Sequence, residues 1–149
     1  MTQSAKTPRI VGRVVGGLFI ATGFFKLLAP AAPGFAGGAR GFGHALGTLG
    51  VPLPLLFGWG VPLLEVGGGL ALLVAHRPLW RVVVAALLAL DMMAAIGLVG
   101  VPGRMGHPLK VGDHEIGREA WRLPLEVVLL GACLYLLERS LRATKVHRL

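Results

Sequence analysis

The chain has 149 residues, of which 54% are hydrophobic and 15% are charged, and its mean hydropathy is +0.72. This composition leaves too little polar surface for an ordinary soluble domain, so we expect the chain to lie in a lipid bilayer. The formal net charge is +8. Because the basic residues stand at the ends of apolar segments rather than in one patch, we expect no nucleic-acid partner. A single cysteine, Cys133, excludes a disulfide framework and a paired redox thiol.

Four apolar segments reach or approach the length of about 20 residues that a helix needs to cross a bilayer. Their apolar runs are continuous rather than alternating, which favours helices over strands. We therefore predict an all-α fold, in which one domain over residues 1–149 forms an integral membrane four-helix bundle. The predicted spans are about 10–28, 54–74, 79–99 and 121–139.

The distribution of Lys and Arg predicts the orientation of these spans. The two tails and the turn between the second and third spans carry nine of them, and the opposite side carries six. Basic residues concentrate on the cytoplasmic side, so we expect a multi-pass protein of the inner (plasma) membrane with both termini in the cytoplasm. The alternative is a signal peptide cleaved near Ala29-Pro30-Ala31. Lys26 disfavours it, because it interrupts the apolar run just before that site.

The first outer connection, Ala29–Leu53, is rich in Gly and Pro. Its apolar side chains have spacings that fit a short helix on the membrane surface, although a flexible loop explains them equally well. These side chains are Phe35, Phe42, Leu46 and Leu49.

The second outer connection is Gly100–Arg122, and its charges predict a surface helix that Asp113 would cap. Two pairs would face each other on that helix: Glu115 with Arg118, and Glu119 with Arg122. Pro124 then fits the first turn of the last span. We predict no metal site, because the spacing of the ligand-type side chains matches no standard one. Those side chains are His107, His114 and Glu115.

The ionisable side chains inside the predicted spans include four that the site hypothesis concerns: Lys26, Glu65, Asp91 and Glu126. A charged group at the centre of a span costs about 2.5–3.5 kcal/mol and indicates a functional site. At about 1.5 Å per residue all four lie in the outer half of the bilayer, so one network facing the interior would lower their cost. Lys26 can instead snorkel to the headgroups, and Glu126 can complement a helix dipole. We expect Lys26, Glu65 and Asp91 to form a polar or proton-exchanging network.

The run of glycines after Glu65 has two interpretations. Small residues allow close helix packing in lipid, which is the simpler one. They also leave room for a flat ligand, so we predict that Glu126, Gly67 and Gly68 line a pocket for a quinone headgroup.

Short motifs in the first half of the chain resemble those of the DoxX family of small four-helix membrane proteins. The motifs are Gly23-Phe24-Phe25-Lys26-Leu27, Gly50-Val51-Pro52 and Glu65-Val66-Gly67-Gly68-Gly69. The resemblance covers most of Val11–Glu138 and carries over Lys26, Glu65 and Glu126 as site residues. It implies a subunit or accessory of a quinone-linked membrane oxidoreductase, with quinone as cofactor and a membrane redox protein as partner. Asp91 and the second outer connection depart from the pattern, as does the C-terminal segment.

Two other functions fit the same residues. The sequence has no flavin, haem or metal motif of its own, so a complete electron path would need a partner. A non-enzymatic assembly or scaffold protein would use its buried acids to set the helix register. A small proton-coupled transporter is the third interpretation, and it is disfavoured because the sequence shows no internal repeat.

Overall fold

The computed structural model describes residues 6–28, 37–74, 77–100, 109–111, 114–116 and 122–146. These ranges contain five α-helices: α1 (Lys6–Leu28), α2 (Gly38–Thr48), α3 (Pro54–Val74), α4 (Pro78–Ala95) and α5 (Arg122–Val146). Helix α4 continues into a π-helical turn over Ile96–Gly100. A short antiparallel hairpin pairs β1 (Leu109–Val111) with β2 (His114–Ile116).

Three helices are long and apolar enough to cross a membrane, at Thr7–Leu28, Pro54–Val74 and Pro78–Val99. Their length comes from runs rich in Leu, Val, Ala and Gly, and their backbone hydrogen bonds are made within the helix, as lipid requires, except for the one that Pro62 of α3 cannot donate. Helix α5 is not among the three, because charged residues interrupt its apolar run. Those residues are Arg122, Glu126, Glu138, Arg139 and Arg142.

Glycines bring α1 and α3 into backbone contact. A Cβ atom added at Gly16 would lie 2.6 Å from the carbonyl oxygen of Gly69, and one added at Gly69 would lie 2.5 Å from the carbonyl oxygen of Gly16. Real Cβ atoms do not approach backbone atoms this closely, so neither position accepts a side chain as the helices stand. The two helices run antiparallel, and their close approach is the packing that small residues allow in a membrane.

Helix α2 packs against α3 through a second pair of glycines. The backbones of Gly43 and Gly58 are in contact, because a Cβ added at Gly58 would lie 2.7 Å from the Cα of Gly43. Helix α2 begins after Gly37, whose φ of 73° lies in the left-handed region that glycine adopts readily. Of the two interpretations of the first outer connection, the helix is therefore correct for residues 38–48.

Helices α4 and α5 form the other half of the bundle, and the core lies where the two halves meet. Its buried side chains repeat every three or four positions on each helix, as one face of a helix requires. The core includes Val15, Phe19, Leu72, Ala85, Leu88, Ala89, Met92, Leu129, Cys133 and Leu136. The opposite faces of the helices expose Leu, Val, Phe and Trp side chains, which suits contact with lipid.

The helix predicted from Glu115 in the second outer connection is wrong, because His114–Ile116 is a strand. Leu109–Val111 alternates between apolar and polar residues, which favours a strand, and two residues separate it from His114–Ile116, a spacing typical of a tight hairpin. The charge pairing outweighed this signal in the sequence interpretation. Several residues of that interpretation lie outside the described ranges: His107, Asp113, Arg118 and Glu119. Pro124 lies in the first turn of α5, where a proline costs no helical hydrogen bond.

Candidate functional site

An ion pair between α1 and α3 lies at the centre of the site. The ammonium group of Lys26, in the last turn of α1, donates a hydrogen bond of 2.6 Å to Oε1 of Glu65, in the middle of α3. The side chain of Glu65 is 1% exposed, whereas that of Lys26 is 24% exposed. The pair therefore has one enclosed member and one member that reaches the outside of the bundle.

The local packing of α1 positions this pair. Gly23 lies one helical turn before Lys26, and a Cβ added there would lie 2.8 Å from the carbonyl oxygen of Pro62 and 3.0 Å from the Cβ of Glu65. Gly23 therefore lets the last turn of α1 lie directly against α3 at Glu65. This contact brings a lysine and a glutamate together that are 39 residues apart in the chain.

Asp91 of α4 and Glu126 of α5 extend the cluster to the other half of the bundle. The carboxyl group of Asp91 lies within hydrogen-bonding reach of that of Glu65 and feels the charges of both Lys26 and Glu126. Glu126 is buried, with 8% of its surface exposed. The structure therefore brings Lys26, Glu65 and Asp91 together and places Glu126 close enough to Asp91 for their charges to interact. We call these four residues the polar cluster.

The polar cluster contains three carboxyl groups and one cation. Two of its oxygens, Oε2 of Glu65 and Oδ2 of Asp91, are buried and receive no hydrogen bond from any residue that the structure describes. Two adjacent carboxyl groups can hydrogen-bond only if one of them holds a proton. The arrangement can thus hold a proton between Glu65 and Asp91, or accept hydrogen bonds from a ligand or water. Within the described ranges, no group of three or more ligand-type side chains could hold a metal ion.

Phe42 of α2 lies against the ammonium group of Lys26, a contact that the sequence interpretation did not foresee. The ammonium group of Lys26 lies 5.1 Å from the centre of the Phe42 ring, within the range of a cation–π contact. The apolar spacing in the first outer connection indicated a helix containing Phe42. Nothing in that spacing indicated which side chain the aromatic ring would contact.

Gly67 and Gly68 both lie on α3, but on different faces. The space next to Gly67 is open on the outer surface of the helix, with no atom within 4 Å of an added Cβ. The space next to Gly68 is occupied by Leu88 of α4, whose side chain would lie 3.1 Å from an added Cβ. The described contacts of Gly68 are those of helix packing.

These observations define a class: a multi-pass membrane protein whose helices enclose a lysine–carboxyl cluster. Residues 4–107 match the family described as Methylamine utilisation protein MauE, and the chain belongs to that family. The resemblance to the DoxX family is therefore wrong, since the motifs that suggested it are short and mostly apolar, and such motifs recur wherever helices pack closely in lipid. Comparison with curated proteins and with solved structures finds no match.

Proposed function

We propose that this member of the MauE family is a membrane accessory protein of methylamine utilisation and that its polar cluster exchanges protons with a quinone-type headgroup. The observation that carries the proposal is the Lys26–Glu65 pair, whose glutamate is buried, with the Asp91 carboxyl group beside it. Buried acids in a membrane are costly, and a cluster that carries more carboxyl groups than cations suits proton transfer better than simple neutralisation.

The exposure of each side chain determines its role in the proposed proton exchange. Lys26 reaches the outside of the bundle, so its ammonium group can donate a hydrogen bond to a headgroup carbonyl that lies against the Phe42 ring. Glu65 and Asp91 lie behind Lys26, where they can hold a proton and pass it outward. A bound quinone would supply the electron-accepting chemistry. We place the headgroup beside Lys26 and Phe42, because Leu88 occupies the space at Gly68.

We further propose that α5 is a fourth span and that both termini face the cytoplasm. The support is that Glu126, Leu129, Cys133, Leu136 and Ser140 bury one continuous face of α5 in the bundle. To test this, a single cysteine would be inserted directly after Met1 or would replace Leu149, Arg40 or His107, in a Cys133→Ala background. An impermeant thiol reagent should label intact cells only at Arg40 and His107. Labelling of either terminus would contradict the orientation.

The proton-exchange proposal is tested with Glu65→Gln and Asp91→Asn, which keep the size of each side chain. Glu138→Gln is the matched control, because Glu138 is an exposed carboxylate that pairs with Arg142 on the surface of α5. Membranes from cells grown on methylamine would be assayed for methylamine-dependent quinone reduction, with protein abundance and melting temperature measured on the same preparations. We expect both cluster variants to lose the activity at unchanged abundance and the control to retain it. Full activity in the Glu65→Gln/Asp91→Asn double variant would refute proton exchange.

A scaffold or assembly protein is the second candidate, and one observation favours it. The Lys26–Glu65 pair joins α1 to α3, and Asp91 joins α3 to α4, so the cluster can set the helix register. In that case the same variants would lose melting temperature or partner recovery in proportion to the lost activity. Interhelical polar contacts in membranes contribute roughly 0.6 kcal/mol on average, so such losses would be moderate. A small proton-coupled transporter remains the third candidate, for which methylamine-dependent proton uptake into vesicles is the test.

A further inference from the structure

The side chain of Lys26 can occupy two positions, one in the bundle and one in the headgroup layer. In the structure it occupies the first, with its ammonium group 2.6 Å from Oε1 of Glu65. The headgroup layer is also within reach, because Lys26 lies two residues before the end of the span Thr7–Leu28, which is about 3 Å along the helix axis. Lysine has a long flexible stem that lets its ammonium group return to water from such a depth. The cluster therefore keeps its cation only while the inward position has the lower free energy.

The ion pair with Glu65 does not by itself secure the inward position. Removing an ammonium group and a carboxylate from water has a high free-energy cost, which their mutual attraction offsets only in part when the pair has few other hydrogen bonds. The carboxyl group of Asp91 adds to the attraction. Glu65 can nevertheless avoid an unpaired buried charge by taking up a proton, and Lys26 is then free to turn outward.

The aromatic ring of Phe42 provides a second contact for the same ammonium group. The centre of the ring lies 5.1 Å from Nζ of Lys26, and a cation within about 6 Å of a ring centre is attracted to the negative face of the ring. The ammonium group thus has one contact on α3, with Glu65, and another on α2, with Phe42.

The backbone of α2 fixes the position of this ring. A Cβ added at Gly38 would lie 2.8 Å from the carbonyl oxygen of Leu27, the residue that follows the lysine. A Cβ added at Gly43 would lie 2.9 Å from the carbonyl oxygen of Pro54. Helix α2 is therefore in backbone contact with the end of α1 and with the start of α3. Phe42 lies between these two contacts, so the ring is carried by a docked segment of helix.

We propose that Phe42 is a positioning residue, whose ring keeps the ammonium group of Lys26 on Glu65 and out of the headgroup layer. This role rests on the proposed function, because a lysine held inward is the one that can serve both Glu65 and a bound headgroup. Without the ring, Lys26 turns outward more often. Glu65 then takes up a proton from water, since an unpaired buried carboxylate has a higher free energy than the neutral acid.

The first readout is the reaction rate of Lys26 with a water-soluble amine-acetylating reagent. The full chain, purified in mild detergent without quinone, would be labelled over time and analysed by mass spectrometry. Phe42→Leu removes the ring, and Phe42→Tyr retains it. Phe25→Leu is the matched control, because Phe25 is next to Lys26 on α1 and is 73% exposed. The internal references are the other lysines of the chain, Lys6, Lys110 and Lys145.

We expect Phe42→Leu to raise the relative labelling rate of Lys26 about fivefold, which corresponds to a cation–π contact of about 1 kcal/mol. Phe42→Tyr and Phe25→Leu should stay close to the wild type. An unchanged rate in Phe42→Leu would overturn the inference. An equal increase in Phe25→Leu or in Phe42→Tyr would also overturn it, because the aromatic ring at position 42 would then not be what holds the lysine.

The second readout is infrared absorption, which distinguishes holding Lys26 from merely shielding it. A protonated carboxyl group has a C=O stretching band separate from the bands of a carboxylate. We expect Phe42→Leu to increase this band and Glu65→Gln/Phe42→Leu to show no increase over Glu65→Gln. Faster labelling with an unchanged band would overturn the inference, because the ring would then only shield the lysine. An equal increase in both backgrounds would overturn it too, because the proton would not be on Glu65.

Gly58→Ala keeps the inference testable if Phe42→Leu does not fold. It retains the ring but moves the helix that carries it, because a Cβ at Gly58 would lie 2.6 Å from the carbonyl oxygen of Ala39. Gly60→Ala is its control, with no atom within 4 Å of the added Cβ. We expect faster Lys26 labelling in Gly58→Ala alone, and equal rates in the two variants would overturn the inference. Neither readout requires quinone, so a failure of proton exchange would leave both results unchanged.

Discussion

Two neighbouring glycines of α1 give the sharpest test of the packing that positions the polar cluster. Gly16 faces α3, where an added Cβ would lie 2.6 Å from the carbonyl oxygen of Gly69. Gly17 faces outward, with no atom within 4 Å of an added Cβ. The variants Gly16→Ala and Gly17→Ala therefore make the same chemical change on opposite sides of one helix.

The structure gives the expected size of the difference. Ordinary contact begins at 3.4 Å, so Gly16→Ala must separate α1 and α3 locally by about 0.8 Å. Overpacking of this kind costs roughly 1–3 kcal/mol. Replacing a helical glycine by alanine gains roughly 0.5–1 kcal/mol from propensity, and this gain is common to both variants. The difference between them is therefore the packing cost alone.

Melting in detergent measures this difference. We expect Gly17→Ala to melt at or above the wild-type temperature and Gly16→Ala to melt lower than Gly17→Ala by at least about 2 °C, at 2–4 °C per kcal/mol. Gly69→Ala should behave like Gly16→Ala. The double variant Gly16→Ala/Gly69→Ala should lose less than the two single losses together, because one separation of the helices relieves both contacts. Equal melting temperatures for Gly16→Ala and Gly17→Ala would refute the close approach of α1 and α3.

Three further predictions concern the polar cluster, the docking of α2 and the core. Lys26→Leu should destabilise the protein by about 3–5 kcal/mol, because it leaves the carboxyl group of Glu65 buried without its cation. Glu65→Gln should lower the free energy of unfolding by less, since the partly exposed Lys26 can turn to the headgroups. Melting temperatures in detergent compare the two variants, and equal losses would contradict the asymmetry in exposure. Gly58→Ala should displace α2, because its Cβ would lie 2.6 Å from the carbonyl oxygen of Ala39, while Gly60→Ala meets no atom within 4 Å and should not. Hydrogen exchange of residues 38–48 measures this, and equal exchange in both variants would contradict the docking of α2. Cys133, which is 0% exposed, should react with a maleimide only after unfolding, and rapid labelling of the folded protein would contradict its place in the core.

The helices that carry the site, and its most conspicuous residues, were predictable from local sequence. The apolar runs predicted where α1, α3 and α4 would form, because helix formation in lipid depends on length and hydrophobicity along one stretch of chain. The same runs made Glu65 and Asp91 conspicuous, since burying an acid far from a helix end in a bilayer has a high free-energy cost. The strand pair Leu109–Val111 and His114–Ile116 also had a local signal, in the alternation of the first run and the two-residue spacing between the runs, whereas the charge spacing favoured a helix.

What the sequence by itself determined is therefore the membrane environment of this protein, the positions of its long helices and the positions of ionisable residues within them, because each of these depends on residues close together in the chain. Only the tertiary structure decided that Glu65 is the direct partner of Lys26, that Asp91 lies beside Glu65 and that the Phe42 ring lies against Lys26. Those contacts depend on how each helix is rotated and how closely it approaches its neighbour. Here that approach is set by glycines such as Gly16, Gly23 and Gly58, whose effect exists only once another helix lies against them.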